Sequence, residues 1–259
     1  MAGRDGRQNQ GMGAVDTELV RTVRESLASA ADPGNAVAMR AYMKSAMPYR
    51  GIPAPALRSL LRPVLASHAL PDEETWHTTV LELWDGAEFR EERCAAVALA
   101  RHRHARVYQQ VHTLVLYEHM IHTGAWWDLV DEIATHLVRG LLLTHPVEVS
   151  PVICSWAVAD DMWLRRSAVI CQVGAGERCD PLLLARAIEH NLDGSTRSTP
   201  AVSPYGREFF IRKAIGWALR DHARTDPDWV RRFAAAHDSG LSGLSKREAL
   251  KHTFAGGRA

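Results

Sequence analysis

No stretch of this sequence stays apolar for long. The run from Leu137 to Leu143 is broken by Arg139 and stops before His145, well short of the ~20 residues that a membrane span requires. The opening residues, Met1 to Gly13, are rich in Gly and Gln, carry charges and have no apolar centre. They lack the form of a secretion signal, and a disordered tail over residues 1–14 is the expectation. Cysteine is sparse, at Cys94, Cys154, Cys171 and Cys179, with no CxxC pair. That argues against a disulfide framework or a cysteine zinc site and for a reduced, cytoplasmic protein. Cys94 and Cys171 also lack any motif of a catalytic nucleophile.

Other ligand motifs are missing as well. His119 and His122 stand three residues apart, but no third ligand follows at metal spacing, so no metal is expected. Neither GxGxxG nor GxxxxGK[ST] occurs, so no nucleotide cofactor is indicated, and none is expected. Lysine is scarce: Lys44, Lys213, Lys246 and Lys251 are the whole set, and the other basic residues are arginine. Arginine is the better bidentate phosphate ligand. The same bias follows from a GC-rich genome, and a net charge of +1 does not by itself announce a nucleic-acid binder.

What the chain does have is a soluble composition, 46% hydrophobic and 24% charged over 259 residues, enough to bury a sizeable core. Helical periodicity dominates, and no convincing strand pattern occurs. Leu19, Val20, Val23 and Leu27 mark one helical face. Leu57, Leu60, Leu61 and Val64 mark a second, and Trp76, Val80, Leu81 and Trp84 a third. Cys94, Val97, Ala98 and Ala100 form the next, and Val111, Leu114, Val115 and His119 another, ended by Gly124. Thr123 has the form of an N-cap for a helix from about Trp126 to Leu143. Further helices are predicted at Val147–Val158, Met162–Gln172, Pro181–Leu192, Glu208–His222, Pro227–His237 and Ser245–Thr253. A string of roughly a dozen helices joined by short turns predicts an all-α solenoid. Its units would be degenerate HEAT-like repeats of about 40 residues, with a concave face suited to a long ligand. A single irregular helical bundle is the rival architecture. The repeat domain is expected over residues 15–254, interrupted by a turn-rich loop from Asn191 to Tyr205 that is either a spacer or a ligand contact.

Four clusters could carry chemistry. In Trp126-Trp127-Asp128-Leu129-Val130-Asp131, Trp127 and Asp131 share a helix face that the core-facing Leu129, Val130, Ile133 and Leu137 do not need. The bland alternative is inter-repeat packing for Trp127 and a salt bridge for Asp131. In Asp161-Met162-Trp163-Leu164-Arg165-Arg166, Asp161 caps a helix whose arginines either bind phosphate or form ion pairs. In the segment Phe209 to Arg220, Phe210, Ile211, Ala214, Ile215 and Ala218 form a core stripe, while Lys213, Trp217 and Arg220 share a second face. An aromatic flanked by two cations suits a nucleic-acid backbone, and a buried Trp with solvated neighbours is the other option. Ser245 with Glu248 resembles a capping box, placing Lys246 and Arg247 at a helix start that is either a phosphate site or an ordinary surface.

These clusters, in this order, resemble the AlkD-like family of alkylpurine DNA glycosylases. The resemblance starts at Tyr42-Met43-Lys44 with Gly51-Ile52-Pro53. It runs through Glu82-Leu83-Trp84-Asp85, Trp126-Trp127-Asp128, Val130-Asp131 and Trp163-Leu164 with Arg166-Ser167-Ala168. It ends with Glu208-Phe209-Phe210-Ile211, Lys213 to Trp217, Leu219-Arg220 and Leu244 to Ala249, and so spans about residues 15–253. The resemblance implies HEAT-like repeats around duplex DNA and Asp131 as the catalytic carboxylate. It places Trp127 and Trp217 against the deoxyribose, makes Arg166 an active-site residue holding the backbone near the lesion, and puts Tyr42 at the DNA face. Lys44, Arg165, Lys213, Arg220, Lys246 and Arg247 complete the expected DNA contacts. The long Asn191–Tyr205 loop and the N-terminal tail depart from the family pattern without removing a catalytic residue.

A purine alkylated at N3 or N7 is already cationic and leaves without protonation. Such an enzyme needs no general acid, only negative charge where the sugar becomes an oxocarbenium ion. Asp131 would supply it, with the faces of Trp127 and Trp217 favouring the cation. The resemblance implies excision without trapping a flipped base. A protein that wraps DNA alone needs no partner, so a monomer with no obligate protein partner and no membrane is expected, in the cytoplasm and at the nucleoid when bound to DNA. Two rivals are a HEAT-like scaffold using the tryptophans and arginines as interface anchors, and a damage binder without catalysis.

Overall fold

In the computed structural model, residues 14–193 and 201–252 are described. The expected tail falls outside them except for its last residue, as does the middle of the 191–205 loop, residues 194–200. Among the described residues there are fourteen α-helices and no strand, as the periodicity predicts. They form two compact units, one up to Tyr108 and one from Gln109 onward.

The first unit contains α1 (Thr17–Ser29), α2 (Pro33–Met43), α3 (Ala54–Ser67), α4 (Glu73–Asp85) and α5 (Arg90–Ala100), closed by a 3-10 turn over Arg103–Tyr108. The second contains α6 (Leu114–Gly124), α7 (Trp127–Glu132), α8 (Arg139–Thr144), α9 (Pro146–Trp156), α10 (Met162–Ile170), α11 (Pro181–Glu189), α12 (Phe209–His222), α13 (Pro227–Ala236) and α14 (Gly243–Ala249). Consecutive helices pack on one another, α4 on α5, α8 on α9, α10 on α11, α12 on α13, the pattern of a helical-repeat protein.

Local chemistry sets the helix starts. Asp16, Asp32, Asp72, Asp161, Asp180 and Asp226 each accept a backbone N–H from the first turn of the helix that follows. At Asp32, Asp180 and Asp226 a proline occupies the first helical position. The carboxylate satisfies orphan donors, and proline lacks the N–H that would otherwise be one. Leu19, Val20, Val23 and Leu27 are the buried face of α1, each contributing roughly 1.5–3 kcal/mol by burial.

Several expectations need correction. Thr123 does not cap the next helix: its hydroxyl donates to the His119 carbonyl within α6, and Trp126 precedes α7 with no side-chain cap. The single helix expected from Trp126 to Leu143 is α7, a π-helical stretch over Ile133–Val138, and then α8. On α6 the buried face is Leu114, Leu116, Tyr117, Met120 and Ile121, and Val115 is 71% exposed. Helix α2 was not predicted, because only Met43 of its residues is buried and no apolar stripe marks it. Ser245 is not an N-cap; Ser242 caps α14 by accepting the Ser245 N–H. The Ser245 hydroxyl donates instead to the Arg212 carbonyl at 2.9 Å, tying α14 to α12. Gly216 allows that approach, since a Cβ there would stand 2.7 Å from the Glu248 Cβ.

Candidate active site

The site lies in the second unit, at the start of α7. Ala125, in the left-handed region with φ of 36°, ends α6 and turns the chain through extended Trp126 into α7. Trp127 and Asp131 then stand one turn apart on α7, both half-buried, while Leu129 and Val130 are in the core. Directly after Asp131 the helix widens into its π-helical stretch, and the Thr135 hydroxyl donates to the Asp131 carbonyl at 2.7 Å. Such widenings are frequent at functional sites.

The Asp131 carboxylate is met by Arg166 from α10. Nε donates to Oδ1 and Nη2 to Oδ2, each at 2.8 Å, the parallel fork that makes arginine–carboxylate pairs strong. The remaining nitrogen, Nη1, donates to the Phe210 carbonyl at the start of α12. One buried guanidinium thus links α7, α10 and α12. Arg166 uses two of roughly four acceptor positions on the carboxylate, whose side chain keeps 17% exposure. Burial pushes the Asp131 carboxyl above its ordinary value, and the bonds from Arg166 oppose that rise.

An aromatic wall stands beside this pair. The rings of Trp126, Trp163 and Phe210 lie within 5.1–6.0 Å of one another, and the Arg166 guanidinium is 5.9 Å from the Phe210 ring. The Trp126 indole N–H is buried without a hydrogen-bond partner. Phe210, expected in a core stripe, is only half-buried, and Phe209 beside it is 52% exposed. Trp126 and Trp163 join the site although no sequence pattern singles them out, apart from the adjacency of Trp126 to Trp127.

Trp217 is half-buried on α12, on the face that also carries Phe210 two turns earlier. Lys213 and Arg220 flank it but both pair with Glu248 of α14, Lys213 at 3.4 Å. Burial pushes the Glu248 carboxyl up, and the two cations together hold it below its ordinary value. Lys246 pairs with Asp238 at 2.6 Å, and Arg247 is exposed.

Arg165, expected as a DNA contact, is 6% exposed. Its donors go to the carbonyls of Ala157, Val158 and Ala159 and to the Asn191 side chain. It ties Asn191 to the carbonyls of Ala157–Ala159, and so is not free to contact DNA. In the first unit Tyr42 is 78% exposed, and Lys44, also exposed, ends α2 in a left-handed conformation with φ of 49°. No cluster of three or more His, Cys, Asp or Glu residues suited to a metal ion occurs among the described residues.

A helical-repeat protein with a half-buried carboxylate, gripped by arginine and walled by tryptophans, is the class these features define. The family model for DNA alkylation repair enzymes matches residues 23–253, and the chain belongs to that family. A solved structure described as a predicted DNA alkylation repair enzyme from Enterococcus faecalis is 30% identical, with a TM-score of 0.72 over 88% of this chain and 98% of that one. No curated protein matches the sequence. The AlkD-like resemblance and the all-helical fold are thereby borne out.

Proposed function

We propose that this DNA alkylation repair protein is a DNA glycosylase. It would hydrolyse the N-glycosidic bond of cationic N3- or N7-alkylated purines in duplex DNA. The observation that carries the reading is Asp131, a carboxylate held by two bonds from Arg166 and still open to solvent on one edge. A fixed negative charge in a partly dry site stabilises a developing oxocarbenium ion more than it would in water. Trp127, one turn away on α7, and Trp217 would offer their faces to the cationic sugar. The alkylated base leaves as a neutral purine, and water adds to the sugar carbon. Its proton passes to solvent or to the carboxylate. No acid is needed, and the reading requires no pocket for a flipped base. Tyr42, Lys44, Lys246 and Arg247 are retained as DNA contacts. Arg166 is reassigned from holding the DNA backbone to positioning Asp131, because its guanidinium is buried and already engaged.

One observation favours a second reading. The Asp131–Arg166 fork neutralises the carboxylate, and a fork that only ties α7 to α10 would look the same. Base release from a duplex with one 7-methylguanine, compared between wild type and Asp131→Asn, separates the two. The glycosylase reading expects release by wild type alone, with the mutant still folded and bound to DNA. Equal release by both removes Asp131 from catalysis. No release by either, repeated with a bulky cationic purine adduct, leaves a binding protein.

A further inference from the structure

The first unit holds a buried carboxylate that the reading above does not use. Helix α2 carries Tyr42 and ends on Lys44, but it is weakly anchored by its own side chains. Only Met43 is buried, while Val37 is 73% exposed and Tyr42 78%. One buried methionine is little for an 11-residue helix that must hold a fixed orientation.

Polar contacts to the loop over residues 48–52 hold it instead. The Asp32 N–H donates to the Arg50 carbonyl at 2.8 Å, and the Asn35 side-chain amide donates to the Gly51 carbonyl at 2.7 Å. Gly51, with φ of 86°, lies so close that a side chain there would run into the backbone of Asp32 and Ala36. The loop is fixed in turn by α5. The Arg90 N–H donates to the Pro48 carbonyl at 2.9 Å. The Glu91 carboxylate, in a residue 1% exposed, accepts three consecutive backbone N–H groups: Arg50 at 2.9 Å, Gly51 at 2.9 Å and Ile52 at 3.2 Å. Successive N–H groups form an anion-binding nest, and here an internal carboxylate fills it. Its neighbour Glu92 pairs with the side chains of Arg24 and Arg50, so the nest belongs to Glu91.

We infer that Glu91 is a positioning residue for DNA binding: through the 50–52 nest it sets the placement of α2, and with it Tyr42 and Lys44. This rests on the reading that Tyr42 and Lys44 meet DNA. Glutamine at 91 keeps the shape but offers its amide nitrogen where a carboxylate oxygen accepted an N–H, so at least one bond is lost.

The test compares wild type, Glu91→Gln, Tyr42→Ala/Lys44→Ala and the triple variant. It measures Kd for an undamaged duplex, the single-turnover rate of base release at saturating enzyme, and amide exchange over residues 33–44. Glu91→Gln is expected to raise Kd about tenfold, change the bound rate by less than about twofold and speed exchange in α2. In the Tyr42→Ala/Lys44→Ala background it should add nothing, as for two changes acting through one contact. Should Glu91→Gln fail to fold, Asn35→Ala, which removes the bond to the Gly51 carbonyl and a long one to Met39 Sδ from a half-buried side chain, is expected to give the same pattern more weakly. Unchanged Kd, an equal loss in the Tyr42→Ala/Lys44→Ala background, or a release rate falling as far as affinity overturns the inference. A wild type that binds no duplex overturns it together with the DNA reading. Unchanged α2 exchange with normal DNA binding overturns it alone.

Discussion

Arg166 grips Asp131 through two parallel bonds of 2.8 Å and holds the Phe210 carbonyl with its remaining arm. Because the guanidinium is buried and occupied, its expected contribution is orientation of the carboxylate. Truncation to alanine would leave a buried charge unpaired, at about 3–5 kcal/mol. The informative variant is therefore Arg166→Lys, which keeps the charge and cannot form the fork. Base release is expected to fall about a hundredfold, with the salt dependence of DNA affinity unchanged. Weakened DNA binding at normal release would instead make Arg166 a bidentate phosphate contact.

The acid side of the pH–rate profile should belong to Asp131. The carboxylate is the active form, and burial raises its pKa. Release should fall as pH drops, with its midpoint above the ordinary aspartate value of about 3.9. The 7-methylguanine nucleotide stays cationic throughout the acid limb, so the limb reports the enzyme. The linkage has the opposite sign. A carboxyl whose folded pKa is raised favours the folded state at low pH, and that contribution is lost as pH rises through the folded pKa. Activity loss at this group should therefore not coincide with unfolding, which circular dichroism over the same range checks. A limb at or below the ordinary value would sink the assignment.

Glu248 restrains two cations that flank Trp217. Glu248→Gln should free Lys213 and Arg220 for phosphate, tightening binding to undamaged duplex and steepening the salt slope by between about one and two. Stability should change by no more than about 1 kcal/mol, because the pairs are partly exposed. An unaltered slope would show that neither cation reaches the backbone.

Gly216→Ala should be disruptive for a helix-interior glycine. Alanine is the better helix former, yet its Cβ would stand 2.7 Å from the Glu248 Cβ. Forcing α12 from α14 should destabilise the fold by about 1–3 kcal/mol. A raised melting temperature would mean that the two helices separate without strain.

Much of the site was legible because its residues are local. Trp127 and Asp131 are four apart on one helix, and Asp161 caps α10 as its position before an apolar stripe predicts. Neighbours in sequence proved less transparent. Arg165 and Arg166 are adjacent and both buried. One clamps backbone carbonyls and the other meets a carboxylate 35 residues away in sequence, and no local pattern separates them. Lys213 and Arg220 read as a basic face because Glu248 lies on another helix. Helix α2 was invisible because polar contacts, rather than an apolar stripe, hold it.

The amino-acid sequence by itself determined the helical class, the cap at Asp161 and the residue types of the site. Periodicity and capping act within a few residues of chain. The three-dimensional packing alone decided which charges are neutralised, which arginine serves the carboxylate, and what holds α2. Those outcomes depend on groups tens of residues apart meeting where water is excluded, and there an ion pair or a nest of N–H groups dominates the electrostatics.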